Sequence, residues 1–389
     1  MSDTDQPLTI AMLAGEASGD NLGAALVRQA KALAPDTRFI GIGGPAMISE
    51  GFTSDIDIER LSVNGFVDPL MRLPELLKIL FHTRDRVLES KADCFVGIDF
   101  NFFNILLAGI LRRRGIKTIQ YVSPTVWAWR KGRIRKIRRN VDLMMTLYPF
   151  ETKIYEDNDI SVAFVGHPKA DEIDPDEGER SKAPAREGLD IGQDEIVIAI
   201  LPGSRSSEVR MTGADFLETA KHLANRVDHF VIPAANEKRM AQLREMLESY
   251  PEIGSKVKLI LGRSREAMTA SDVVLVNSGT ATLEAMLLKK PMVMSYRLGK
   301  YTYAIVSRLL KIEWFALPNI LAGKMLVPEM IQDDADPKQM ARAINVLLEA
   351  ESIEKLHAEF DVIHRTLRKG SAPGREAARV VLDLCKSAS

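Results

Sequence analysis

Short apolar runs alternate with amphipathic stretches along almost the whole chain. Runs at Leu8–Ala14, Phe39–Gly43, Cys94–Ile98, Thr118–Val122, Leu143–Leu147 and Ala163–Val165 have the length and flanking turns of buried strands. Between them, Leu22–Leu33, Pro74–Leu88 and Phe103–Leu111 carry apolar residues at helical spacing. The pattern restarts with strands predicted at Val197–Leu201, Phe230–Pro233, Lys258–Leu261, Val273–Val276 and Met292–Ser295. The tail from Pro337 reads as helices at Gln339–Glu349, Ile353–Leu367 and Gly374–Cys385. Strands that are apolar throughout are buried on both faces, which implies parallel sheets covered by helices. The predicted fold class is therefore α/β, with two doubly wound, Rossmann-like domains facing each other across a cleft. Their expected bounds are 1–172 and 185–369, with a C-terminal helix, about 370–389, placed to pack back on the first domain. The polar, proline-bearing stretch Asp174–Pro184 reads as a surface excursion near the junction.

Composition narrows the function more than the fold. The 389 residues suit about two domains, and 46% apolar residues with a net charge of −1 describe an ordinary globular protein. That charge argues against a dedicated nucleic-acid binder. Cys94 and Cys385 lie far apart within apolar patterns and read as buried thiols of a reducing compartment. The histidines are scattered without zinc spacing. Met1–Pro7 lacks a signal-peptide pattern, and no run approaches the ~18 apolar residues that span a bilayer. A cytoplasmic protein is expected, free to touch a membrane from that side.

Candidate chemistry lies where strands end. After Val273–Val276, the small-residue turn Asn277-Ser278-Gly279-Thr280 opens a helix, leaving N–H groups at a helix N-terminus for an anion. Glu284, one turn on, suits the hydroxyls of a sugar. After Val197–Leu201, Gly203 permits close approach, Ser204 and Ser206 are small donors or caps, and Arg205 offers a planar cation for phosphate oxygens. Each turn alone also reads as a capped helix on a sheet; together they favour a nucleotide diphosphate. In the first half, Gly15-Glu16-Ala17-Ser18-Gly19-Asp20 is a glycine-bearing turn in which Ser18 or Asp20 either caps the helix or meets a substrate. Gly41-Ile42-Gly43-Gly44-Pro45 is a second open turn. Asp99 ends a strand beside Phe100, Phe102 and Phe103, where desolvation favours a basic carboxylate; capping of the following helix is the competing role. Ser123, Trp127 and Arg130 follow the next strand, with tryptophans fit for core packing or for a sugar or acyl platform. Arg130–Arg139 is basic except at Ile134 and Ile137, either a solvated helix or a contact for anionic headgroups. Met71–Phe81 is an apolar helix with basic edges, core or lipid-facing lip.

Taken in order, these segments resemble the lipid-A-disaccharide synthase family of GT-B-fold glycosyltransferases from Gram-negative bacteria. The resemblance runs from Leu8 to about Ala378. It rests on Gly15–Asp20, Gly41–Pro45, Val122–Arg130, Pro149-Phe150-Glu151, Phe164–Pro168, Leu201–Arg205, Ser278–Glu284, Leu317–Gly323 and Val327-Pro328-Glu329. It implies transfer of 2,3-diacylglucosamine from its UDP conjugate to the 6-hydroxyl of 2,3-diacylglucosamine 1-phosphate (lipid X), with inversion, at the cytoplasmic face of the inner membrane. Asp99 is then the expected base. Gly203, Ser204, Arg205, Asn277, Ser278, Gly279, Thr280, Thr282 and Glu284 are expected around UDP, and Glu16, Ser18, Asp20, Ser123, Trp127 and Arg130 near the sugars. No cofactor, metal or nucleic acid is expected, and an oligomer is left open. One departure stands out. Where the family reads Gly-Ile-Asp-x-Pro-Asp-Phe-Asn, this chain has Asn101 for the proline and Phe102 for the second acid. The competing readings are a UDP-sugar 2-epimerase on the same fold and a non-catalytic lipid- or nucleotide-binding relative.

Overall fold

The computed structural model describes residues 7–61, 72–124, 126, 132–299, 313–370 and 372–386. The chain divides into two compact units, Met1–Glu172 with Leu367–Ser389, and Ile173–Thr366.

The first unit is built on seven parallel strands: β1 (Thr9–Ala14), β2 (Arg38–Ile42), β3 (Thr53–Ser54), β4 (Cys94–Ile98), β5 (Lys117–Tyr121), β6 (Leu143–Thr146) and β7 (Val162–Phe164). They lie in the order β3-β2-β1-β4-β5-β6-β7. Period-two geometry explains why β1 is apolar throughout. Ile10, Met12 and Ala14 join one core layer, with Leu26 and Ala30 of the Ala17–Leu33 helix. Ala11 and Leu13 join the opposite layer, with residues of the helices Leu73–Glu89 and Asn101–Arg112. The helix Arg375–Lys386 returns to the first layer through Ala377, Ala378, Val381, Leu382 and Cys385. The expectation of two separate thiols is corrected there: Cys94 of β4 and Cys385 form a disulfide, with Cα atoms 5.9 Å apart. Their separation of 291 residues hid a pairing that only the packing of the last helix creates.

The second unit holds six parallel strands: β8 (Val197–Leu201), β9 (His229–Ala234), β10 (Val257–Leu261), β11 (Val273–Asn277), β12 (Met292–Tyr296) and β13 (Glu329–Ile331). Their order is β10-β9-β8-β11-β12-β13. The expected surface excursion at Asp174–Pro184 does lie mostly at the surface, but it carries two short helices, Glu177–Arg180 and Lys182–Glu187. Pro184 falls in a first turn, where no N–H donor is needed. Arg186, 1% exposed, anchors the segment with bonds of 3.0 Å to both oxygens of Asp272 and to the carbonyl of Ala270. The two strands the pattern did not predict, β3 and β13, are sheet edges too short to carry a periodic signal. No described helix is long and apolar enough to cross a membrane.

Strand order reverses between β1 and β4 in one sheet and between β8 and β11 in the other. Loops at the carboxyl ends of such neighbouring strands diverge and leave a crevice for ligands.

Candidate active site

In the second unit, β8 and β11 pair with Leu201 opposite Val276, so the two turns predicted to bind phosphate lie side by side. Asn277, 4% exposed, ties them by donating from Nδ2 to the carbonyl of Pro202 at 3.4 Å. Gly203 has φ +120°, and a Cβ there would collide with Glu208. Glu208 reaches back from the helix Ser206–Leu223 and accepts from the N–H groups of Ser204 at 2.9 Å and Arg205 at 3.1 Å. Those backbone donors are thereby occupied. What this turn offers an anion is the Arg205 side chain, 80% exposed.

The Asn277–Thr280 turn is different. Gly279 sits at φ +142° with nothing within 4 Å of the place a Cβ would take. It opens the helix Thr280–Leu287. Among the described residues, the N–H groups of Gly279, Thr280 and Ala281 meet no acceptor. They are the orphan donors of a helix start, at its positive end. Both turns border a cavity of about 690 Å3 whose wall includes Gly203, Ser204, Arg205, Asn277, Ser278, Gly279, Thr280 and Glu284. Thr282 corrects the expectation. It is fully buried, with its hydroxyl donating to the Gly279 carbonyl at 2.8 Å, because the third helical residue turns toward the sheet. Pro233–Ala235, Gly262, Ser264 and Tyr296 complete the wall and were not foreseen. Their signal, a place at the ends of neighbouring strands, is visible only once the strand order is known.

In the first unit, β1 and β4 pair with Ala14 opposite Ile98, bringing the Gly15–Asp20 turn beside Asp99. Ser18 donates from Oγ to Asp99 Oδ2 at 3.2 Å. Asp99 is half-buried, at φ +51°, and Phe100 follows at φ +34°. Two successive non-glycine residues in the left-handed region store strain, which persists only where surroundings impose it. Here they do. Asp99 N–H donates to the Tyr121 carbonyl at 2.9 Å, and its own carbonyl receives Asn104 Nδ2 at 3.0 Å and Gln120 Nε2 at 3.1 Å. The Phe100 ring lies where any side chain on Gly15 would be. Val122, at φ +79° at the end of β5, adds a third strained residue on the same rim. Phe100, not Asp99, holds the position that caps the Asn101–Arg112 helix.

Other expected site residues are placed differently. Asp20, 5% exposed, receives the N–H groups of Gly44, Ala46 and Met47 at 2.8, 2.9 and 3.0 Å. It caps the Pro45–Ser49 helix from a neighbouring element and is corrected from a sugar contact to a structural anchor. Ser123, 5% exposed, shares a 2.7 Å hydrogen bond with the Tyr155 hydroxyl and is likewise turned inward. Glu16 is exposed at the start of the Ala17–Leu33 helix and makes no capping bond with its side chain. Trp127 and Arg130 lie outside the described residues. The basic helix runs over Arg133–Asn140 with Ile134 and Ile137 buried, so its exposed face is cationic, not apolar. Exposed apolar groups lie instead on the helix Leu73–Glu89, at Leu73, Leu77 and Phe81. Among the described residues no group of three or more His, Cys, Asp or Glu is placed to hold a metal ion.

A profile of the family described as lipid-A-disaccharide synthetase matches residues 10–381. The chain belongs to that family. The enzyme is thus a UDP-sugar glycosyltransferase of lipid A biosynthesis. It is similar to lipid-A-disaccharide synthase of Azotobacter vinelandii, 48% identical over 386 residues that cover 98% of this chain and 99% of that one. It is 46% identical to that of Saccharophagus degradans over 378 residues, 96% of each chain. The fold is shared more widely. A glycosyltransferase structure from Rickettsia africae covers 99% of both chains with a TM-score of 0.63 at 10% identity. A UDP-GlcNAc 2-epimerase from Neisseria meningitidis covers 98% of this chain and all of its own with a TM-score of 0.60 at 13% identity. Two reaction classes thus occupy one architecture, and the fold alone does not separate them.

Proposed function

We propose that the enzyme moves 2,3-diacylglucosamine from its UDP conjugate to the 6-hydroxyl of 2,3-diacylglucosamine 1-phosphate, in one inverting displacement. The observation that carries this reading is the Asp99 turn. It puts a half-buried carboxylate at a switch point, held by a hydroxyl and by a strained backbone rather than spent on a helix cap. Asp99 accepts the proton of the acceptor hydroxyl as that oxygen attacks the anomeric carbon. UDP is the leaving group. The open N–H groups at Gly279–Ala281 and the Arg205 guanidinium stabilise its diphosphate, and Glu284 takes the ribose hydroxyls. Electrostatic stabilisation of this kind supplies the role a cation would otherwise fill.

The acceptor is a lipid, so the enzyme works at the cytoplasmic surface of the inner membrane as a peripheral protein. Arg135, Lys136, Arg138 and Arg139 face solvent on one helix and suit anionic headgroups. Leu73, Leu77 and Phe81, spaced four apart on another helix, supply an apolar stripe. Incubation with the two acylated sugars tests the reaction, with UDP and a β-1,6-linked disaccharide as the expected products. Interconversion of the UDP-sugar without an acceptor would indicate an isomerase, and no turnover of either a binding protein.

A further inference from the structure

Beside the Asp99 turn, wholly within the first unit, lies a second cavity of about 480 Å3. Phe102, Ile105, Leu106 and Pro124 give it apolar walls, and Arg133 and Lys136 stand on its lining. Phe102 is 77% exposed and Leu106 41%, one turn apart on the same helix face. Its two asparagines are engaged within the protein. Asn101 Oδ1 accepts from Gln120 at 3.0 Å, and Asn140 Nδ2 donates to the Ile105 carbonyl at 3.1 Å. The hollow is therefore hydrocarbon-like inside and cationic at two points. Phe102 is three residues from Asp99, so their Cα atoms lie within about 11 Å.

We propose that this cavity receives an acyl chain of the phosphorylated glycolipid acceptor, with Arg133 and Lys136 drawing its phosphate. A molecule with a hydroxyl at Asp99, an apolar tail and an anionic group meets all three features. The assignment rests on the reading of Asp99 as the place where the acceptor hydroxyl sits. Phe102 becomes a specificity residue: its exposed ring is a wall that the tail covers.

The test begins with binding, which needs no catalysis. The full-length enzyme is titrated calorimetrically with dodecyl phosphate, below its micelle concentration, and with butyl phosphate. The longer chain should bind more tightly, by about fourfold for each further methylene buried until the cavity is full. Leu106→Trp, which pushes a bulkier ring into the cavity and shortens the room for a tail, should weaken dodecyl phosphate at least tenfold and leave butyl phosphate and UDP unchanged. Equal binding of the two alkyl phosphates by the wild type, or undiminished dodecyl phosphate binding by Leu106→Trp, would overturn the proposal. In turnover, Phe102→Ser should raise KM for a tetradecanoyl acceptor about tenfold while kcat and the KM for a butanoyl acceptor stay put; a uniform loss for both acceptors would also count against it. The two readings fail separately. Full turnover by Asp99→Asn with chain-length-dependent binding intact removes the base and keeps the pocket; an inactive Asp99→Asn with no such binding does the reverse.

Discussion

At the scale of single residues, Asp99 and Arg205 make the sharpest claims. Asp99→Asn preserves size and the capacity to receive the Ser18 hydroxyl, and asparagine tolerates the left-handed backbone that φ +51° demands. Thermal stability and UDP binding should therefore persist. Transfer should fall by about 10²–10⁴-fold, the usual contribution of a general base. Steady-state assays with both acylated sugars measure it, and turnover within a few-fold of wild type would leave Glu16, exposed on the neighbouring turn, as the next base to examine. Arg205→Ala removes a side chain whose one ion pair is long, 3.5 Å to Glu208, and solvent-exposed. Its stability effect should be slight, because exposed pairs of this kind contribute little. Loss of a charge-assisted contact to the diphosphate should weaken UDP by about 1.5–3 kcal/mol. Calorimetry decides, and an unchanged affinity would put Arg205 outside the nucleotide site.

At the scale of elements, function depends on how one segment fixes another. Asn104, fully buried, donates from one amide to the carbonyls of Leu13 and Ile98 at 3.3 Å and of Asp99 at 3.0 Å. It joins β1, β4 and the strained turn. Asn104→Ala should cost about 1–3 kcal/mol in urea unfolding, since buried carbonyls lose a partner. It should also lower kcat while sparing UDP affinity, because the nucleotide turns belong to the other unit; a loss in UDP affinity as large as that in kcat would instead mean general unfolding. This explains what a sequence can and cannot disclose. The run Cys94–Ile98 announces a strand, and Asp99 is read at its end because both are local. Asp20 reads as a cap for its own helix or a sugar contact; its actual task, holding the Pro45–Ser49 helix, depends on β1 lying beside β2. Glu208 consumes the backbone donors of Ser204 and Arg205, a reach that no pattern of apolar positions discloses. Thr282 reads as a phosphate ligand until helical phase turns it inward. Periodicity reports which residues are buried, but not which distant carbonyl or N–H a buried polar group will meet.

At the scale of the molecule, two charge effects should be measurable. The cationic face at Arg135–Arg139 predicts binding to anionic vesicles that weakens as salt rises, with each basic residue near the surface contributing about 1 kcal/mol before screening. Sedimentation with neutral and anionic vesicles checks it; equal, salt-independent binding would leave only the apolar stripe. The second effect lies in the second unit. Lys290, 6% exposed, donates to the Ser271 carbonyl at 3.0 Å. Burial first, then the neighbouring Lys182, pushes its ammonium down from 10.5 to about 7, against the opposing pull of Asp272 and Glu179; Arg186 adds to the depression. An unfolded chain would hold this proton up to the ordinary value. Between about pH 7 and 10.5 the unfolded state therefore binds more protons, and stability contributed by this group rises with pH. Below that window both states are charged and the folded state bears the full cost of burying the ammonium. A tenfold weaker hold on the proton corresponds to about 1.4 kcal/mol, so a change of a few kcal/mol across the window is expected. Lys289, lowered to about 8 chiefly by burial, tilts the same way, so the comparison must be with Lys290→Met rather than with a flat line. Methionine keeps the length and apolar stem without the charge. The variant should match or exceed wild-type stability near neutral pH, and its advantage should shrink as pH climbs toward 10.5. Urea unfolding at a series of pH values gives both curves, and parallel curves would mean that folding leaves the hold of Lys290 on its proton unchanged.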